Sequence, residues 1–145
     1  MIIRQTKDTL SQIYLDALAL RKEVFVDEQK VPVELEIDQD EAHAIHFVLY
    51  EASQPIATAR ILEKANGVAK LQRMAVKKTA RGTGNGALLI KEIEKRCEEL
   101  AFTRIELGAQ VTAEGFYRAL GFIPFGDYFQ DAGIKHIAMQ KVLME

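Results

Sequence analysis

The sequence predicts an α/β (α+β) protein in which a mostly antiparallel sheet is flanked by helices. Two observations support this prediction. Runs rich in β-branched and aromatic residues recur along the chain, and turn residues separate them. Two longer segments repeat their apolar residues at helical spacing instead. A length of 145 residues fits one hydrophobic core, so a single domain is predicted over residues 1–145.

The first part of the chain predicts a strand, a helix and an irregular acidic segment. The strand covers residues 2–6, and residues 9–12 (Thr-Leu-Ser-Gln) fit a capping box at the start of the helix. Apolar residues at helical spacing extend this helix to about Val26, and Pro32 prevents its continuation. Residues 34–41 are acidic and are predicted to be irregular.

Three predicted strands follow, over residues 46–52, 55–63 and 68–76. The turn residues Ser-Gln-Pro separate the first strand from the second. Asn66-Gly67 separates the second from the third, and this dipeptide is the strongest short signal for a β-hairpin. These strands therefore predict an antiparallel meander.

The second half of the chain begins with a glycine-rich segment, residues 79–86, and a second amphipathic helix follows it. The buried stripe of this helix is predicted to consist of Leu89, Ile90, Ile93, Cys97 and Leu100. The remaining predicted elements are a strand, a short helix and two closing strands, over residues 104–108, 113–120, 122–129 and 134–142.

The glycine-rich segment carries the strongest chemical signal in the sequence. Glycines let a ligand approach the backbone closely, and the first amides of the following helix have no acceptors within that helix. The helix dipole favours negative charge at the same place. Arg81 adds a planar cation suited to phosphate. Residues 81–86 are therefore predicted to bind a phosphate-bearing ligand.

Three phosphate-binding motifs compete for this segment. A Walker loop requires Gly-Lys followed by Ser or Thr, which is missing here. A dinucleotide fingerprint fits Gly82, Gly84 and Ala87, with Glu106 about twenty residues further on. In that fold, however, the first glycine follows its strand almost directly, and too little chain remains here for the further parallel strands. The third motif, [Arg/Gln]-x-x-Gly-x-[Gly/Ala], fits residues 81–86 fully.

With this third motif the chain resembles the GNAT acetyltransferase superfamily. The resemblance extends in the correct order to Leu71 through Val76, Ala109-Gln110, Phe116-Tyr117 and Leu120-Gly121-Phe122. Residues 20–32 are similar to a bacterial subgroup of uncharacterised small members. The resemblance covers essentially the whole chain. It implies a mixed, mostly antiparallel sheet of about six to seven strands flanked by about four helices.

The resemblance implies that acetyl-CoA is the cofactor. Its pyrophosphate is expected on the glycine turn, at Arg81, Gly82, Thr83, Gly84, Asn85 and Gly86. Its pantetheine arm is expected along the fourth strand, at Met74, Ala75 and Val76, where the family's fourth and fifth strands diverge and leave backbone groups unpaired. Gln110 replaces an asparagine that often faces the arm in the family, and Phe116 is expected as a further contact.

The resemblance also implies N-acetyltransferase activity, in which a primary amine attacks the thioester directly in a ternary complex. Tyr117 stands where many members have a tyrosine near the sulfur, and its hydroxyl is expected to protonate the leaving thiolate. The alternative is that Tyr117 is only an aromatic core residue. Lys70 replaces a glutamate that serves some members as base, so the base remains unassigned. The alternative function is a CoA-binding sensor or interaction domain that has lost transferase activity.

The acetyl acceptor is a small-molecule or protein amine that the sequence does not identify. The acidic segment 34–41, together with Glu28, predicts that local negative potential attracts a cationic acceptor. Glu28, Asp38 and Asp40 are the candidate contacts on this side, and solvated surface charges are the alternative interpretation.

Composition excludes several other classes of function. Nineteen basic and 21 acidic residues leave no surplus that would favour nucleic acid, and no apolar run approaches the ~20 residues that span a bilayer. Neither a nucleic acid nor a membrane is therefore expected as a partner, and the chain is expected to be a monomer or a homodimer. A single cysteine, Cys97, cannot form an internal disulfide, which indicates a cytoplasmic location. His43 and His46 lack a third ligand, so no metal site is expected.

Overall fold

The computed structural model describes residues 1–143, so the end of the predicted domain 1–145 lies outside the described residues. The strands are β1 (Ile2–Thr6), β2 (Ile45–Glu51), β3 (Gln54–Ala65), β4 (Val68–Val76), β5 (Arg104–Gln110), β6 (Ile123–Asp131) and β7 (Ile134–Val142). They form a seven-stranded sheet in the order β1-β2-β3-β4-β5-β7-β6. Neighbouring strands are antiparallel except β4 and β5, which run parallel. The predicted mixed, mostly antiparallel sheet is confirmed.

Helices cover both faces of the sheet. They are α1 (Gln12–Arg21), α2 (Val33–Glu36), α3 (Asn85–Glu99) and α4 (Glu114–Ala119), and a π-helical segment, Lys22–Glu28, follows α1 directly. On one face, α1 packs Ala17 and Leu20 against Val48 of β2. Because successive side chains of a strand point to opposite faces, the neighbours of Val48 pack on the other side, in the core that α3 and α4 cover. That core contains the predicted α3 residues Leu89, Ile90, Ile93 and Cys97.

The first helix differs from its prediction at both ends. Ser11, rather than Thr9, is the N-cap, and its hydroxyl accepts a hydrogen bond from an amide of the first turn at 3.2 Å. Leu10 therefore precedes the helix and is 89% exposed, although its spacing had predicted a buried position. The α-helix also does not continue to Val26, because the backbone becomes π-helical from Lys22 onwards.

The other predictions are confirmed in part. Asn66-Gly67 joins β3 to β4 in a hairpin, and Gly67 has the positive φ of +78° that favours glycine. Leu100, predicted on the buried stripe of α3, follows the helix and is 40% exposed. Residues 34–41 were predicted to be irregular, but they contain the end of α2 and place Glu36 and Glu41 in the interior.

A buried ionic cluster holds this acidic segment on the sheet. Arg21 of α1 and Arg60 of β3 are each only 1% exposed. Glu41 lies between them, 2.8 Å from Arg21 and 2.9 Å from Arg60. Glu36 lies 2.6 Å from Arg21, and Asp38 lies 2.8 Å from Arg60. Buried charges are tolerated only when they are paired in this way, so the cluster fixes the position of the segment between α2 and β2.

We expect Glu41→Gln to lower the free energy of unfolding by about 3–5 kcal/mol, because it deprives two buried guanidinium groups of their shared carboxylate. Asp27→Asn is the matched control. Asp27 and Lys22 form an ion pair with side chains 57% and 66% exposed, and such pairs contribute about 1 kcal/mol or less. Urea unfolding near pH 7 measures both variants, and equal losses would contradict the role given to Glu41.

Acid unfolding provides a second check on the same variant. Burial opposes ionisation of Glu41, but hydrogen bonds and charge from Arg21 and Arg60 outweigh it and hold the pKa of this carboxyl well below its usual range. In the unfolded chain the pKa of a glutamate is about 4.3. The stabilisation by Glu41 is therefore complete above about pH 5 and is lost as the pH falls through the folded-state pKa. The difference in the free energy of unfolding between wild type and Glu41→Gln should therefore decrease as the pH falls below about 5.

Candidate active site

A cleft opens where the two parallel strands of the sheet separate. β4 and β5 pair from Val68 with Arg104 as far as Leu71 with Leu107, and not beyond. β4 stays paired with β3 up to Val76, and β5 stays paired with β7 up to Gln110. The backbone of residues 72–76 therefore has no ladder partner on the β5 side. The cleft has a volume of about 780 Å³, and residues 72–76 line it.

A β-bulge in β4 marks the point of separation. Gln72 pairs with Arg60 and Ala75 pairs with Thr58, so two residues of β4, Arg73 and Met74, oppose a single residue of β3. Arg73 has a φ of +57°, which is uncommon for a residue other than glycine. A bulge bends its strand and increases the local twist, which favours divergence of the end of β4 from β5.

The glycine turn lies at one end of the cleft and leads into α3. Gly82 and Gly84 have φ values of +80° and +86°, in the left-handed region that favours glycine. The first hydrogen bond of α3 runs from the amide of Leu88 to the carbonyl of Gly84 at 3.0 Å. The amides of residues 85–87 precede it and have no acceptors within the helix. The turn therefore presents free N–H groups at a helix N-terminus, where an anion binds well.

Side chains around the turn hold it in shape. Asn85 donates hydrogen bonds to the carbonyl of Ala80 at 3.0 Å and to the hydroxyl of Thr83 at 3.1 Å. A Cβ atom on Gly86 would lie 3.1 Å from Cζ of Phe116 and 3.4 Å from Cε of Met74. Glycine at position 86 therefore lets these two side chains pack closely over the start of α3.

Arg81 is fixed between the end of β4 and the π-helical segment. Its Nε donates to the carbonyl of Val76 at 2.9 Å, and its two terminal nitrogens donate to the carboxylate oxygens of Glu28 at 2.7 Å each. Hydrogen bonding from Arg81 lowers the pKa of the Glu28 carboxyl. Glu28 thus lies beside the glycine turn, and its role as an acceptor contact stays a prediction.

Gln110 has a partner that the sequence did not reveal. The side-chain amides of Gln29 and Gln110 exchange two hydrogen bonds, at 2.9 and 3.3 Å. Gln29 follows the π-helical segment and Gln110 ends β5, so the pair crosses the cleft. Long-range partners of this kind, 81 positions apart, have no signal in a single sequence.

Tyr117 lies in the core between two aromatic rings but reaches the cleft. It is 7% exposed and contacts Phe116 and Phe122 edge to face. Burial raises the pKa of its phenol above the ordinary value. The hydroxyl of Tyr117 forms no hydrogen bond within residues 1–143. In that range, Nε of Arg96 is the only fully buried side-chain nitrogen or oxygen without a partner, so the Tyr117 hydroxyl is at least partly accessible. Since Tyr117 lines the cleft, its hydroxyl is available to a ligand.

The predicted acceptor contacts lie outside the cleft, and their role stays a prediction. Asp38 is held by Arg60 and by Arg73, from which it lies 3.1 Å away, and Asp40 donates its backbone amide to Asp38. Buried Glu36 and Glu41 are neutralised by arginines, so residues 34–41 are less negative to a ligand than their composition predicts. Glu36 does line the cleft, together with Lys70, Gln72, Arg73, Asp131 and His136.

Other candidate chemistry is accounted for by packing. Cys97 is buried in the core, and burial raises the pKa of its thiol to about 12, so it is not a nucleophile. His46 is also buried, and its ring contacts the carbonyl of Glu41 at 2.8 Å. Across residues 1–143, no three or more His, Cys, Asp or Glu side chains are grouped as metal ligands. No helix in this range has the length and apolar character to cross a membrane.

A sheet that opens between two parallel strands beside a glycine turn is typical of the acyl-CoA N-acyltransferase fold. The crystal structure of an acyl-CoA N-acyltransferase from Pseudomonas aeruginosa has a TM-score of 0.85 and 26% identity to this chain, covering 97% of this chain and 99% of the other. The chain matches the model of the acetyltransferase (GNAT) domain over residues 8–143, and it belongs to this family.

Similar sequences and solved structures are consistent with this family assignment. The uncharacterized N-acetyltransferase YjcF of Bacillus subtilis is 39% identical over 127 residues, which cover 87% of this chain and 90% of YjcF. The protein ElaA of Escherichia coli has a crystal structure with a TM-score of 0.86 and 29% identity, covering 97% of this chain and 99% of ElaA. A crystal structure of aminoglycoside 6'-N-acetyltransferase in complex with coenzyme A has a TM-score of 0.75 at 16% identity, covering 100% and 98%, and so shares the fold.

Proposed function

We propose that this member of the family is an acetyl-CoA-dependent N-acetyltransferase that moves an acetyl group to a primary amine by direct attack in a ternary complex. The observation that carries the proposal is the cleft itself. The unpaired backbone of residues 72–76, the free amides at the start of α3 and the hydroxyl of Tyr117 all lie along it. Coenzyme A is bound by the aminoglycoside acetyltransferase that shares this fold, which supports the same ligand here.

The residues along the cleft fit the parts of coenzyme A in order. The amides of residues 85–87 and the guanidinium of Arg81 would hold the pyrophosphate, since both donate hydrogen bonds to an anion at a helix N-terminus. The amide-bearing pantetheine arm suits the unpaired backbone of β4 at Met74, Ala75 and Val76. Gln110 and Phe116 line the same cleft and would contact the arm from the opposite side.

The chemistry requires an acid for the leaving group. The cofactor supplies an acyl carbon activated by its thioester bond. A thiolate leaves when an amine attacks that carbon, and the phenol of Tyr117 has no competing hydrogen-bond partner within residues 1–143. Burial raises the pKa of this phenol, so the hydroxyl stays protonated and can donate a hydrogen bond to a thiolate that forms beside it. The tyrosine thus has the chemistry and the exposure of a proton donor.

The proposed activity is tested by measuring CoA release from acetyl-CoA with a panel of amines. The panel contains a polyamine, an amino sugar, an aminoglycoside and a peptide with a free N-terminus. Release above the rate without amine, for at least one acceptor, is the expected result. Tight acetyl-CoA binding with no amine-dependent release across the panel would favour the sensor or interaction domain instead.

Arg81→Ala should weaken coenzyme A binding by about 10- to 100-fold, because a charge-assisted hydrogen bond contributes about 1.5–3 kcal/mol. Arg118→Ala is the matched control, since Arg118 is also an exposed arginine in an ion pair, with Glu114 at 2.9 Å, and does not line the cleft. Calorimetric titration with coenzyme A measures both. Equal affinities for the two variants and wild type would remove Arg81 from the binding site.

Tyr117→Phe should lower the single-turnover rate at least tenfold, because general acid catalysis contributes on the order of 10²–10⁴ in rate. The melting temperature and the affinity for acetyl-CoA should stay close to those of wild type, since the hydroxyl has no hydrogen bond to lose within residues 1–143. Single-turnover rates are the right measurement because product release does not mask the chemical step. A wild-type rate in this variant would sink the assigned role.

A further inference from the structure

His136 is a histidine of β7 that lines the cleft. It stands on β7 directly opposite Gln110, on the part of β5 that no longer pairs with β4. Paired residues of neighbouring strands point to the same face, so His136 and Gln110 share one face of the sheet. His136 is 9% exposed and lines the cleft.

A backbone carbonyl determines which ring nitrogen of His136 carries the proton. Nδ1 lies 2.7 Å from the carbonyl oxygen of Ile134. A carbonyl oxygen only accepts hydrogen bonds, so Nδ1 must be the protonated nitrogen. In the neutral imidazole, Nε2 is then left with a lone pair that can accept a proton.

The ring is also held in a defined orientation. It stacks on Phe129 with 5.5 Å between ring centroids and an angle of 25°. Phe129 in turn packs over Gly108, where a Cβ atom would lie 3.0 Å from its Cζ. Nε2 forms no hydrogen bond in the described part of the chain and is not among the fully buried atoms without a partner, so it stays accessible from the cleft.

Two other ionisable groups that line the cleft, Glu36 and Lys70, are less suitable as the base. Glu36 accepts a hydrogen bond from Arg21 at 2.6 Å and lies 3.3 Å from Arg73, so its carboxylate is already occupied. Lys70 pairs with Glu106 in the register, within the stretch where β4 and β5 are still joined. Lys70 thus belongs to the joined part of the two strands, whereas His136 lies opposite Gln110, beyond the last pair of β4 with β5.

We propose that Nε2 of His136 is the general base that deprotonates the acceptor ammonium, an assignment that rests on the proposed N-acetyltransferase function. An N–H bond of the ammonium breaks and its proton moves to Nε2, which leaves a neutral amine. The amine nitrogen bonds to the thioester carbon, the C–S bond breaks, and the thiolate gains a second proton from that nitrogen by way of Tyr117. His136 then returns its proton to water. Each ammonium thus yields one acetamide, one thiol and one released proton.

Two variants separate this role from packing. His136→Asn can still donate to the carbonyl of Ile134, and His136→Phe can still stack on Phe129, but neither has a basic nitrogen. Two small probe amines provide the contrast: ethylamine is charged near neutral pH, and 2,2,2-trifluoroethylamine is largely neutral there. With ethylamine, both variants should lose about 10²-fold or more in single-turnover rate, and with the fluorinated amine they should stay within a few-fold of wild type. His43→Asn, at an exposed histidine outside this cleft, is the control and should match wild type.

Equal losses with both amines would show a packing role for His136 and would overturn the assignment, as would no loss with either. If wild type releases no CoA with these or any amine of the panel, the proposed function itself fails and the base assignment fails with it. Nitrogen-15 NMR of the free protein gives a readout independent of activity. The signal of His136, identified by its absence from His136→Asn, should show the proton on Nδ1, and a proton on Nε2 in the neutral ring would contradict the proposal.

Discussion

The amides and carbonyls of a β-sheet need partners, and the functional geometry of this protein depends on one place where two neighbouring strands do not provide them. After Leu71 and Leu107 the parallel strands β4 and β5 separate, while each stays paired with its outer neighbour. The opening is therefore a property of the sheet and not of a mobile loop. The bulge at Arg73 lies at the start of the opening, and the glycine turn and α3 lie at its end, so the groups proposed to bind coenzyme A are placed by β4, β5, α3, α4 and the turn before α3.

Charges that cancel one another hold Glu36 and Arg73 at the wall of the cleft. Arg21, Glu41 and Arg60 form the centre of a buried cluster that holds the segment after α2. Arg73 connects this cluster to the bulge of β4 through Asp38. The position of Glu36 in the cleft thus depends on the same ion pairs that stabilise the fold, and a change in that cluster would alter stability and the lining of the cleft together.

Much of the fold could be predicted from local patterns. Asn66-Gly67 identified a hairpin, and the apolar spacing of Leu89 through Cys97 identified the buried face of α3, because both signals depend on neighbours in the chain. The same reasoning failed for Leu10, since apolar spacing does not reveal that Ser11 is the helix cap. It also predicted an irregular acidic segment over residues 34–41 and missed the burial of Glu36 and Glu41, because the arginines that pair with them come from distant elements.

In the site, too, features with a local sequence signal were predicted and features that depend on long-range contacts were not. The glycine turn has a contiguous motif, and Tyr117 follows from a family resemblance, so both were expected before the cleft was known. Gln29 and His136 were not, because their importance arises only when β5, β7 and the π-helical segment meet at the cleft. The predicted acceptor residue Glu28 lies beside Arg81, a pairing between positions 53 residues apart that local sequence patterns do not reveal.

The ion pair between Glu28 and Arg81 affects how an anion would bind at the glycine turn. With Glu28 bonded to both terminal nitrogens, Arg81 is already ordered and already neutralised in the free protein. A phosphate that binds the guanidinium replaces a carboxylate rather than water, so binding is an exchange of anions with a small change in local net charge. The displaced Glu28 is the direct neighbour of Gln29, which crosses to Gln110. An anion that displaces Glu28 from Arg81 would therefore act on the residue next to the Gln29–Gln110 bridge over the cleft.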